Sequence, residues 1–164
     1  YDIFEFKTSP VPTCIMLGAP GIPNNPPAEV KGIPVGKKAD ALFFLHTARI
    51  DKKMTPKEVA AGTKAEMLRY IVRYKDGKEE IVPIFSEIDI GDYKVKEAAP
   101  LPGAQLAWTK PYAGTGFSAA VYSKQWTNPR PDVEISAIDI VYGPDKCGVP
   151  AVLAITTSVA ANPK

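Results

Sequence analysis

Over much of the chain, apolar and polar residues alternate with a period of two, the spacing that puts successive side chains on opposite faces of a β-strand. From Leu68 to Tyr74 the pattern is clean: Leu68, Tyr70, Val72 and Tyr74 share one face while Arg69 and Arg73 share the other. That is the alternation of an antiparallel sheet with one face in a core and one in water. The stretch from Ala39 to Ile50, ADALFFLHTARI, differs. Leu42, Phe44 and His46 fall on one face and Phe43, Leu45 and Thr47 on the other, so both faces are largely apolar and a central strand buried on both sides is expected. Further strands are expected at Gln105 to Thr109, Gly116 to Trp126, Val133 to Tyr142 and Pro150 to Ser158, each bounded by Pro, Gly, Asn or Asp.

The turns sharpen this picture. Asp76-Gly77 between two strand patterns signals a hairpin with a two-residue loop, which sets Arg73 opposite Glu80 and Val72 opposite Ile81. Thr55-Pro56-Lys57-Glu58 has the form of a capping box with Pro at the first helical position, and Gly62 ends the helical segment. One short surface helix is expected there. The first thirty or so residues carry short apolar pieces, Ile3-Phe4 and Cys14 to Leu17, then a Pro- and Gly-rich loop from Gly18 to Pro27, and read as an arm laid on the body. The expected fold is therefore all-β, an antiparallel β-sandwich of jelly-roll type with one short surface helix, as a single domain over residues 1–164.

Composition agrees. Seventeen prolines and 12 glycines in 164 residues favour short strands and turns over regular helices. No internal repeat or heptad supports a solenoid or coiled coil. The net charge is only +2, with 20 basic and 18 acidic residues spread along the chain, so no basic stripe marks a nucleic-acid partner. No apolar run approaches the roughly 20 residues that span a bilayer, so no membrane partner is expected. The chain opens at Tyr1 and is expected to be an excised piece of a larger, secreted, multi-modular protein. Cys14 and Cys147 are either a disulfide or two free thiols.

Few residues carry chemistry. One histidine and two distant cysteines do not make a zinc site. His46 lies in an apolar strand with no nucleophile motif beside it, the setting of a core histidine with a single hydrogen-bond partner more than of a general base. Glu87, Asp89 and Asp92 cluster around a Gly, as turn formers or calcium ligands do, so a structural calcium ion is left open and no cofactor is required. What stands out is aromatic residues in polar company, because sugar C–H faces stack on rings while hydroxyls bond to neighbouring polar groups. One such neighbourhood is Trp108 and Tyr112, around Lys110. The other is Tyr122, Lys124 and Trp126 on one strand face, with Asn128 and Arg130 next along the chain as hydrogen-bonding groups. Tyr93 after Gly91-Asp92 is a third candidate. Trp108, Trp126 and Tyr93 serve equally well as aromatics closing a core.

Four segments resemble a known family. Ile33 to Thr47, Tyr74-Lys75-Asp76-Gly77, Trp126-Thr127-Asn128-Pro129-Arg130-Pro131 and Ala151 to Thr156 are similar, in order and spacing, to galactose-binding-like β-sandwich domains attached to bacterial glycoside hydrolases. The resemblance covers most of the chain from about Cys14 onward. It implies a jelly-roll sandwich, a linked catalytic domain and a plant cell-wall polysaccharide as target. The chain departs from the pattern at Tyr93, where a tryptophan is expected, so a sugar platform there is smaller. The expected function is a non-catalytic carbohydrate-binding module that raises the effective concentration of its linked enzyme at the polysaccharide. The alternatives are a structural sandwich packed on a catalytic domain and, behind it, a small glycan-cleaving enzyme using a carboxylate pair.

Overall fold

The computed structural model of the chain describes residues 14–18, 26–55, 57–58 and 61–159. Its strands, in order, are β1 (Ile15–Met16), β2 (Glu29–Lys37), β3 (Ala41–Ile50), β4 (Glu66–Tyr74), β5 (Glu79–Phe85), β6 (Lys94–Val95), β7 (Gln105–Tyr112), β8 (Phe117–Thr127), β9 (Ile135–Tyr142) and β10 (Gly148–Ser158). They form two antiparallel sheets. The larger has the order β1-β10-β3-β8-β6 with β7 on the other edge of β8, and the smaller has the order β2-β9-β4-β5. The sheets pack face to face around one core, in which Leu42 and Phe44 of β3 meet Leu68, Tyr70 and Val72 of β4 and Ile138 and Ile140 of β9. Phe44 stacks on Tyr70 with ring centroids 3.8 Å apart. The fold is an antiparallel β-sandwich, as expected.

The helical turn is present where the capping pattern placed it. Glu58 Oε2 accepts from the Thr55 N–H at 2.7 Å and from its hydroxyl at 2.8 Å, while the Glu58 N–H donates to Thr55 Oγ1 at 3.3 Å. Those reciprocal bonds satisfy donors that the first helical turn leaves free. Positions 56 and 59–60 of the expected helical segment lie outside the described residues, as do residues 1–13 and 19–25 of the expected N-terminal arm and its loop.

Three expectations are corrected. The hairpin between β4 and β5 has a three-residue loop: Gly77 N–H donates to Tyr74 O at 3.0 Å, and Gly77 takes a φ of 83°. A type I turn followed by one left-handed residue adds a residue to the loop and slips the register by one. Arg73 thus faces Glu79, Val72 faces Glu80, and Ile81 pairs with Ile71 on the outer face, 52% exposed, where the expected register put it opposite the buried Val72. The second correction concerns β3, which is central in its sheet but fully buried on one face only; Phe43, Leu45 and Thr47 are half-buried. The third concerns His46, which has two partners where one was expected. The cysteines, left open by the sequence, are both free thiols, with Cys147 Sγ packed 3.8 Å from Met67 Sδ.

Between β5 and β7 the chain makes a long excursion. Its residues Val95, Ala98, Leu101 and Ala104 pack on Leu106, Ala120 and Tyr122 in a small second cluster, so the excursion covers the inner side of the start of β7 and of the middle of β8. Gly91 lies so close under the Tyr122 ring that a Cβ there would sit 2.5 Å from it.

Candidate functional site

Residues paired across an antiparallel ladder point to the same side of the sheet, so the registers decide which side chains face inward. In the larger sheet His46 pairs with Tyr122 and Val152, Phe44 with Lys124 and Ile155, and Leu42 with Trp126 and Thr157. Because Phe44 stacks on Tyr70 of the opposite sheet, this whole row is the inner one. It carries three of the candidate sugar-binding residues. Trp126 is half-buried and packs on the main core, Tyr122 is buried in the second cluster, and Lys124 Nζ bonds Asp89 Oδ1 at 2.8 Å.

His46, fully buried, joins both sheets and the excursion. Its Nε2 is 2.9 Å from the Asp89 carbonyl, which only accepts, so Nε2 carries the proton and Nδ1 accepts from the Tyr70 hydroxyl at 3.0 Å. Burial is the main cause that lowers the imidazole pKa to about 4, and it raises the Tyr70 hydroxyl well above its usual value. A neutral histidine with both nitrogens occupied is a structural cross-link and has no free base to offer.

Asn128 and Arg130 form a second lock, at the tip of the β4–β5 hairpin. The Asn128 side chain is buried; it accepts from the Tyr74 hydroxyl at 2.5 Å and from Arg130 N–H at 2.9 Å, and donates to Ala39 O at 2.7 Å. Arg130 lies over the Tyr74 ring, 4.5 Å from its centroid, and its guanidinium pairs with Asp76. That hydrogen bond holds the Asp76 carboxyl down at about 2. Both side chains are thus engaged in tying the smaller sheet to the loop after β8.

The outer face of the same sheet is arranged differently. A bulge at Ala107 turns Trp108 outward opposite Val121, and the period of two continues that face through Lys110 and Tyr112. Alongside, Gln105 pairs with Ser123, which pairs with Leu45; Gln125 pairs with Phe43, which pairs with Thr156; Thr127 pairs with Ala41. Trp108, Tyr112, Phe43 and Leu45 are each half-buried, with Val121 almost fully buried between them. Around these apolar groups, the side chains of Gln105, Ser123, Gln125, Thr127 and Thr156 make no hydrogen bond to another described residue. Four strands at about 4.8 Å spacing make this platform roughly 14 Å wide from β7 to β10. Lys94, near the β7 end, sits 4.8 Å from the centroid of the Phe117 ring.

The structure thus brings Trp108, Lys110 and Tyr112 onto the outer face of the larger sheet and leaves Trp126, Tyr122 and Lys124 on the opposite one. Tyr93 is 42% exposed beside Gly91, and its N–H donates to Ala48 O. The acids of the excursion do not converge: Glu87 accepts from Met54 N–H, Asp89 from Phe85 N–H and Lys124, and Asp92 from Lys94 N–H. Among the described residues no three His, Cys, Asp or Glu side chains come together as a metal site. Phe43, Leu45, Gln105, Ser123, Gln125 and Thr156 are members of the outer face that sequence reasoning missed. Their signal was the second apolar face of ADALFFLHTARI, together with the polar alternation of β8.

Comparison with protein-family models, with curated proteins and with solved structures finds no match to this chain. The site therefore rests on its own geometry.

Proposed function

We propose that the protein is a non-catalytic carbohydrate-binding module whose site is the outer face of the larger sheet. One observation carries the reading: an aromatic and aliphatic platform, formed by Trp108, Tyr112, Phe43 and Leu45, is surrounded by amide and hydroxyl groups that have no hydrogen-bond partner among the described residues. Rings and aliphatic side chains suit the C–H faces of sugars, and unpaired amides and hydroxyls suit their hydroxyl groups. A β-sheet supplies such a platform rigidly, because each side chain is anchored by the ladder beneath it. The linked glycoside hydrolase, the export of the protein and a plant cell-wall target are parts of this proposal that rest on the family resemblance.

A second reading, a structural sandwich packed on a neighbouring domain, is favoured by the smaller sheet. Its outer face carries exposed Ile81 opposite Ile71, with Pro83 next along β5. One experiment separates the two. Native gels containing β-glucan, xyloglucan, xylan or galactomannan are run with the wild type and with Trp108→Ala and Phe43→Ala. The glycan reading expects retardation by at least one polymer that both substitutions abolish while the circular dichroism spectrum is kept. Retardation by none of the polymers transfers the weight to the packing reading.

A further inference from the structure

We infer that a cleft at one end of the sandwich is a second binding site, which takes the acid group of a glycan, a carboxylate or a sulfate ester. The cleft encloses about 140 Å³ and is lined by, among others, Lys52, Lys53, Thr63, Lys64, Glu58 and Asp145. Its walls come from the segment after β3, the segment before β4 and the turn between β9 and β10. It lies at the end of β3 nearer to Thr47 than to Phe43, and Thr47 is on the same face as Trp108.

The charges there are unbalanced. None of the three lysines is paired with a carboxylate among the described residues, and the Lys64 ammonium stands 5.2 Å from the centroid of the Phe85 ring. The two acids in the lining are held by local donors. Glu58 accepts from the Thr55 N–H and hydroxyl, and Asp145 accepts from Glu66 N–H at 2.6 Å. Three ammonium groups against two engaged carboxylates leave a positive excess in a concave space, which concentrates anions. The Thr63 hydroxyl adds a donor to the same lining.

Size narrows the ligand. The volume is well under the roughly 300 to 1,000 Å³ of sites that enclose a whole small molecule, so the cleft admits a head group while the rest of the molecule stays outside. A carboxylate or sulfate fits this, and lysine recognises either as a point charge. The glycan as source of that anion rests on the proposed function; the anion preference itself rests on the cleft.

The test monitors amide signals by NMR at constant ionic strength, with methyl glucuronide, glucose 6-sulfate, methyl glucoside and inorganic sulfate as probes. The expected result is saturable shifts at Lys52 to Met54, Thr63 to Ala65 and Asp145 to Cys147 with the glucuronide or the sugar sulfate, and none with the neutral glucoside. The tighter of the two acidic sugars then names the acid group. Lys52→Gln with Lys64→Gln weakens that binding about fivefold or more, and Lys52→Arg with Lys64→Arg keeps it. The inference is overturned by an absence of saturable shifts, by inorganic sulfate binding as tightly as the sugar acids, or by full affinity in the double Gln variant. Trp108→Ala is measured alongside. If its loss of neutral-glycan retardation stands while the cleft binds no anion, only the cleft inference falls; if the cleft binds acidic sugars while no glycan retards the wild type through Trp108, only the sheet-face reading falls.

Discussion

On the inner side of β3 and β8, His46, Lys124 and Tyr122 share a row in which both His46 nitrogens and the Lys124 ammonium have protein partners. One residue along the same strands, on the outer side, Ser123 and Gln125 flank Phe43 and Leu45 with no partner of their own among the described residues. The strands and the ladder are shared; only the pleat separates the two rows. The comparison teaches that polar residues in this sheet are of two kinds. Those facing inward cross-link layers and cost stability if removed, because a buried partner is left unsatisfied. Of those facing outward, Thr47 is bonded to Gly91 O and Ala120 O, whereas Gln105, Ser123, Gln125, Thr127 and Thr156 make no side-chain hydrogen bond to another described residue and contribute little to folding.

The sharpest way to break this comparison is to truncate neighbours in sequence. Phe44→Ala, which removes a fully buried ring stacked on Tyr70, is expected to lower stability by about 3 to 5 kcal/mol in urea unfolding. Phe43→Ala is expected to cost about 1 kcal/mol or less and to abolish glycan retardation instead. Equal costs for the two would erase the distinction between the faces.

The next largest effect is on pH. His46 titrates near 4 in the folded protein, against about 6.5 for an ordinary histidine. The unfolded chain therefore binds the extra proton first, and stability present above about pH 6.5 is lost as pH falls towards 4. The loss amounts to about 3 kcal/mol, read by unfolding at pH 7 and pH 4. His46→Gln should flatten that dependence. Glycan retardation, which does not use His46, should follow the folded fraction only.

Asn128→Ala comes third. It leaves the Tyr74 hydroxyl and the Ala39 carbonyl without their buried partner and is expected to cost about 2 kcal/mol, with no effect on glycan affinity in the folded protein. The smallest effect belongs to the outer face: Gln125→Ala should change stability by less than about 0.5 kcal/mol and weaken glycan binding about fivefold, the loss of one hydrogen bond.

Much of the fold was legible because it arises from local rules. The Leu68 to Tyr74 alternation, the capping box at Thr55 and the turn at Gly77 each act over a few residues. The site was less legible, for a physical reason: a period of two says which side chains go together and leaves open which set faces the core. Tyr122, Lys124 and Trp126 look like an outward face because they include a lysine, yet Asp89, 35 residues away, pairs with that lysine from inside. The two apolar faces of β3 suggested burial on both sides, whereas one of them lies half-buried on the outer face of the sheet. Asn128 and Arg130 stand in a Pro-rich loop, the usual setting of ligand contacts, but the hairpin tip with Tyr74 and Asp76 folds back to engage them.

The central claim, that the outer face and not the inner one meets the glycan, is tested most directly through the two tryptophans. Trp126→Phe leaves Trp108 as the single tryptophan, and Trp108→Phe leaves Trp126. Acrylamide quenching of each variant is measured with and without the polysaccharide that retards the wild type. The account predicts that the polysaccharide shields Trp108 and leaves the quenching of Trp126 unchanged. Shielding of Trp126, with Trp108 unaffected, would contradict it.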